Sequence, residues 1–116
     1  LAVNNEANSV SIAVKQCSEA VVSAMTTHNN VSNVQECGCS AIGNLARNND
    51  ANRVAIAAEH GIEAILNAMT AHNNVSKMLE QGCLALGNLA CNNDANRVSI
   101  AVKHGIEAIV SAMTRI

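Results

Sequence analysis

Ile62, Ile65, Leu66 and Met69 fall at i, i+3, i+4 and i+7, the spacing that puts four apolar side chains on one helical face. This predicts a helix starting near Ile62. A shorter apolar set, Val54, Ile56 and Ala57, predicts a helix over 50–60. Asp50 is suited to cap its N-terminus, and Gly61 to come after its end in a left-handed conformation. Elsewhere along the chain, "HNN" at 28–30 and 72–74 reads as a turn, with Asn30 or Asn74 as the N-cap of the next helix. From there Val31, Val34, Gly38, Ala41, Ile42 and Leu45 form the inner stripe of a third and longest helix, about 31–47. Gly in that stripe weakens the helix but lets a neighbour approach closely. No segment sustains strand alternation, so the chain is expected to be all-α.

These elements recur. "HNNVS" begins at His28 and His72, "NNDANRV" at Asn48 and Asn92, and "HGIEAI" at His60 and His104, each pair 44 residues apart. Aligned on that offset, 28–71 and 72–115 agree at 31 of 44 positions. Residues 1–27 align on 45–71, so the single domain 1–116 divides into a partial repeat 1–27 and repeats 28–71 and 72–115. One repeat has too little apolar surface to stand alone, whereas stacked repeats bury a continuous core.

The repeat resembles the armadillo repeat over the whole chain. The resemblance is carried by "NRVAIAAEHGIEAILNAM" with "VQECGCSAIGNLA", and by "NRVSIAVKHGIEAIVSAM" with "MLEQGCLALGNLA". It implies an armadillo-like α-solenoid, a right-handed superhelix of about two and two-thirds three-helix repeats belonging to a longer array. HEAT repeats are the nearest competitor, but they have two helices and no need of the glycine break. One departure is Cys17, which stands where the later copies have Gly61 and Gly105 and puts a break there in question for the first copy.

Composition narrows the function. The chain is 49% hydrophobic, has no aromatic residue, and carries seven basic against nine acidic residues, a net charge of −2. Without a basic run or a ring to stack on a base, nucleic acid is not an expected partner. No apolar run approaches a membrane span. Five cysteines in no paired framework fit a reducing compartment, cytoplasm or nucleus. Cys37 and Cys39 point to different sides of a helix and cannot share a metal. The histidines recur with the repeat, which explains them without catalysis. No catalytic residue, metal or cofactor is expected, and the chain is not read as an enzyme.

The two full copies differ at thirteen positions, seven of them in the third helix. Asn33/Lys77, Cys37/Gln81, Ser40/Leu84 and Arg47/Cys91 form one stripe around the unchanged Asn44 and Asn88. The resemblance implies that this stripe lines a concave groove, with Asn44 and Asn88 bonding the main chain of an extended peptide. The family's aromatic position, four residues before the Asn, is Ser40 or Leu84, so a grip on basic side chains between Trp rings is not expected. The chain is thus expected to be a protein-interaction scaffold. Two alternatives stand beside it. Asn44 and Asn88 could bond only to a neighbouring repeat, and the chain could be a structural spacer that stacks end to end, also with copies of itself, through uncapped repeats.

Overall fold

The computed structural model describes residues 5–116, with side chains from residue 12 onward. Among the described residues seven α-helices occur in order: α1 Asn5–Thr27, α2 Ser32–Ala46, α3 Asp50–Ala58, α4 Gly61–Ala71, α5 Ser76–Ala90, α6 Asp94–Val102 and α7 Gly105–Arg115. There is no strand among the described residues, and the protein is all-α. Both ends of α2, α3 and α4 recur 44 residues later in α5, α6 and α7. None of the described helices is long and apolar enough to cross a membrane. Leu1–Val3, aligned with the end of a third helix, lie outside the described residues.

The helix starts differ from expectation in an instructive way. The cap of α3 is Asn49, not Asp50: its side chain accepts from Asn52 N at 3.0 Å. Asn93 does the same for α6, accepting from Asn96 N at 2.9 Å. Asp50 and Asp94 sit one residue further in, where a carboxylate favours the positive end of the helix dipole. Asn48 and Asn92 occupy the left-handed region, a conformation that Asn tolerates better than most residues. The third-helix caps are Val31 and Val75 rather than Asn30 and Asn74, and no side chain closes either one.

The break between α3 and α4 is also made by a different residue. His60, not Gly61, is left-handed, with φ 66°, and His104 repeats it at φ 67°. Gly61 is required for space. A Cβ there would collide with the Ile56 side chain and lie 3.0 Å from the Ile56 carbonyl oxygen. The first copy has Cys17 at this position, and α1 accordingly runs unbroken for 23 residues. A side chain that cannot fit the tight corner leaves the straight helix as the available path.

The core lies between successive helices and is aliphatic: Met25, Ile42, Ile56, Ile62, Ile65, Met69, Met78, Leu86 and Leu89 are all buried. Burying each such side chain contributes about 1.5–3 kcal/mol. Two methionines rest on glycines. A Cβ on Gly38 would sit 2.6 Å from Met25 Cγ, and one on Gly82 2.6 Å from Met69 Cγ. The close approach expected of Gly38 is therefore real, but the buried stripe of α2 is rotated from the expected one. It consists of Gln35, Gly38, Cys39, Ile42, Gly43 and Ala46, while Val31 is exposed and Val34, Ala41 and Leu45 are half-buried. Gln35 enters the core because its Nε2 donates to Met25 O and His28 O, both at 3.0 Å, closing the C-terminal end of α1. Leu79 takes the same place in α5.

Candidate functional site: a cleft between the two third helices

α2 and α5 lie side by side, and they approach closely at Gly43. A Cβ at Gly43 would be 3.4 Å from Ala85 Cα and 3.6 Å from Asn88 Nδ2. Asn88 Nδ2 donates to Gly43 O at 3.0 Å, which pins the end of one helix to the other. Arg53 on α3 is buried and donates from Nε to Asn88 O at 3.0 Å. Further bonds cross from one copy to the next along the same seam. Asn93 Nδ2 donates to Asp50 Oδ1 at 3.0 Å, and Asn96 Nδ2 donates to Arg53 O at 3.4 Å; a second bond from Asn96 Nδ2, to Leu89 O at 2.8 Å, stays within its own copy. Every buried side-chain polar atom among the described residues has a partner.

Beside this seam runs an open cleft of about 320 Å³, with Ser40, Asn44 and Arg47 from α2 and its C-cap on one side and Gln81, Leu84 and Asn88 from α5 on the other. These are six of the ten residues of the expected stripe. Asn33 and Cys37 lie instead over a separate apolar groove of about 440 Å³, formed with Val21, Ala24 and Met25 of α1. Lys77 and Cys91 are exposed near the two ends of α5. Eight of the ten residues are thus shared between two depressions, and Lys77 and Cys91 line neither.

The two asparagines are not equivalent. Asn88 is half-buried and bonded to the neighbouring helix, as the alternative reading required. Asn44 is exposed, and among the described residues its side chain has no such bond. An Asn amide carries two donors and one acceptor, so Asn88 keeps one N–H and its oxygen for a second partner. The cleft lining contains one cation, Arg47, and no carboxylate. Leu84 adds an exposed apolar side chain to the lining.

The chain matches no family model, no curated protein and no solved structure. The chemistry of the cleft must be read from its residues alone.

The lining offers amide, hydroxyl and guanidinium groups beside one exposed apolar side chain. Cys39 lies beneath the cleft with its thiol fully buried, and burial pushes its pKa up to about 12. A thiol held so firmly protonated is a poor nucleophile. Burial raises the Cys83 thiol as well. His60 and His104 stand away from the cleft at the α3–α4 and α6–α7 corners, where Nδ1 lies 3.3 Å from Glu63 Oε2 and 2.9 Å from Glu107 Oε2. The hydrogen bond from His104 holds the Glu107 carboxyl below its usual range. No group of His, Cys, Asp and Glu among the described residues is arranged to hold a metal ion.

Sequence reasoning misses Arg53 and Gln35, two buried side chains that donate to main-chain carbonyls. Gln35/Leu79 is visible as a difference between copies, but the partners of Gln35 lie seven and ten residues back, in the preceding turn and helix. Arg53 is identical in both copies as Arg97, so comparing copies does not single it out.

Proposed function

We propose that the protein is a non-catalytic, armadillo-like scaffold that binds an extended protein segment in the cleft between α2 and α5. The observation that carries this reading is the convergence of Ser40, Asn44, Arg47, Gln81, Leu84 and Asn88 on one open depression. An extended segment has unpaired N–H and C=O groups along both edges, and an Asn side chain can meet one of each. Packed helices stand about 8–10 Å apart, and extended chain rises about 3.3 Å per residue. Asn44 and Asn88 therefore match main-chain groups about two to three residues apart. Between them the Leu84 side chain favours an apolar residue, and Arg47 favours an acidic one. Such a segment is expected to run across the helices rather than along them, because the two anchors lie on different helices.

Selection from a displayed library of random 12-residue peptides tests this reading. The selected peptides are expected to carry an apolar residue with an acidic neighbour, and to bind at least tenfold more weakly to Asn44→Ala and to Leu84→Arg. Both side chains are exposed, so both variants retain the fold by circular dichroism. Selected peptides that bind the two variants as well as the parent chain would place recognition elsewhere and refute the proposal.

A further inference from the structure

Gln35 is only 2% exposed, yet one of its polar atoms has no protein partner. Its Nε2 donates both hydrogens, to Met25 O and His28 O, which fixes the orientation of the amide. Its Oε1 accepts no hydrogen bond among the described residues. Every fully enclosed side-chain polar atom among those residues has a partner, so this oxygen reaches a surface. Gln35 lines a depression of about 240 Å³ between the end of α1, the turn after it and α4. Met25 and Ala68, both buried, form its floor with Gln35, and Thr26, Asn29 and Asn67 stand exposed around it. His72, the C-cap of α4, ties the two sides together, with its Nε2 2.7 Å from Asn29 O.

The helices of the next copy, α5 to α7, are in place and leave this depression open. It recurs one repeat on, between α4 and α7, where all eight lining positions again take part. Five of the eight carry the same residue in both. The three that differ are Gln35/Leu79, Asn67/Ser111 and Ala71/Arg115. His104 and Glu107 also join the second lining. One hollow of the fold thus occurs twice. The first has an amide acceptor on an uncharged floor; the second has Leu79 there and charged groups around it.

We propose that the depression at Gln35 binds a small, uncharged aromatic molecule through an N–H group. An amide oxygen can only accept, so the group that meets it must donate. None of the eight lining residues is charged. An ionised ligand would lose water there without gaining a counter-charge, which disfavours carboxylates, phosphates and ammonium groups. The Met25 thioether gives a ring a favourable contact, and Ala64 and Ala68 leave room beside it. Typical ligand pockets hold about 300–1,000 Å³, so this one suits a single ring or two fused rings. Indoles and aromatic lactams have this chemistry. The site is separate from the α2–α5 cleft, and the inference does not depend on what the cleft binds.

Indole is the probe, and benzofuran, the same ring system with oxygen in place of N–H, is its control. In nitrogen–proton correlation NMR spectra of the whole chain, indole is expected to shift the Gln35 side-chain amide and the Ala64 and Ala68 backbone amides saturably. Ala108 and Ala112, in the second depression, are expected to stay in place. Benzofuran is expected to bind at least fivefold more weakly, because a site built around a hydrogen bond rejects the analogue that cannot make it. Gln35→Leu, the residue type already present at position 79, is expected to weaken indole at least fivefold with helical circular dichroism unchanged. Ala64→Leu keeps the Gln35 bonds but fills the depression, and is expected to weaken both compounds. The comparison of the two compounds on the parent chain needs no variant to fold. The proposal is overturned if the indole shifts do not saturate, if benzofuran binds as tightly, or if Ala108 and Ala112 shift as much as Ala64 and Ala68.

Discussion

Asn44→Ala and Asn88→Ala form a matched pair in which the repeat supplies its own control. Both replace Asn by Ala at the same position of the same helix, one residue after a shared glycine and one before a shared leucine. The gain in helix propensity, a few tenths of a kcal/mol, is common to both and cancels in the difference. What remains is the bond from Asn88 Nδ2 to Gly43 O at 3.0 Å, part-buried, which has no counterpart at Asn44 among the described residues. A neutral hydrogen bond contributes about 0.5–1.5 kcal/mol net. Asn88→Ala should therefore unfold about 1 kcal/mol more easily than Asn44→Ala, or about 4 °C lower in Tm for a domain of this size. Urea unfolding measured at 222 nm gives the difference with both variants in the same buffer. Equal stabilities would show that the Asn88 bond contributes nothing, and that the seam between α2 and α5 is held by apolar contact alone. An Asn44→Ala variant that is the less stable of the two would contradict the assignment of Asn44 as an exposed side chain.

The glycines differ in the same measurable way. Gly87→Ala should stabilise the chain by about 0.5–1 kcal/mol, because its helical backbone suits Ala and the space is open. Gly61→Ala should instead destabilise by about 1–3 kcal/mol through its clash with Ile56, both read by urea unfolding. In native buffer at pH 8, a thiol reagent should modify the exposed Cys37 and Cys91 quickly and leave Cys39 untouched until urea is added, as mass spectrometry of the digested chain would show. The Glu107 carboxyl should titrate below its ordinary value of 4.5 by NMR, and His104→Ala should bring it back up. Its folded pKa is lowered, so its small contribution is present above the unfolded value and is lost as pH falls through the folded one.

The helices are legible in the sequence because their apolar spacing is strong and occurs more than once. Cys17 in place of glycine points to the unbroken α1. The corners are less legible. Which of His60 and Gly61 turns left-handed depends on how closely α4 passes Ile56, a three-dimensional distance that no local pattern carries. The same holds for Asn49 against Asp50: both are good caps, and one residue of register decides between them. The stripe of α2 departs from its pattern because α5 covers its Gly43 side, and Gln35 joins it at the position that Leu79 fills in α5. A polar side chain is assigned outward by its type, whereas two backbone carbonyls left open at the end of α1 hold this one inside. At the cleft, the comparison of copies groups the stripe as one set, but it does not carry the fact that Asn33 and Cys37 lie toward α1 while Ser40 and Leu84 share one depression.

The repeated "GNLA" shows why one sequence can carry two roles. In the first occurrence Gly43 is pressed against Ala85, its carbonyl is taken by Asn88, and Leu45 O accepts from Asn52 at 2.8 Å. In the second, Leu89 O is taken equivalently by Asn96 at 2.8 Å, but Gly87 faces open space. The bonds to residues after each third helix are made in both copies; those to the next copy's third helix are made only in one. Identity at these positions thus reflects two different demands: closing each helix upon its own repeat, and presenting a surface that another helix can meet. Ser40/Leu84 and Arg47/Cys91 fall where neither demand applies. They flank the seam without entering it, so they can change the chemistry of the cleft while leaving intact the contacts that hold its walls.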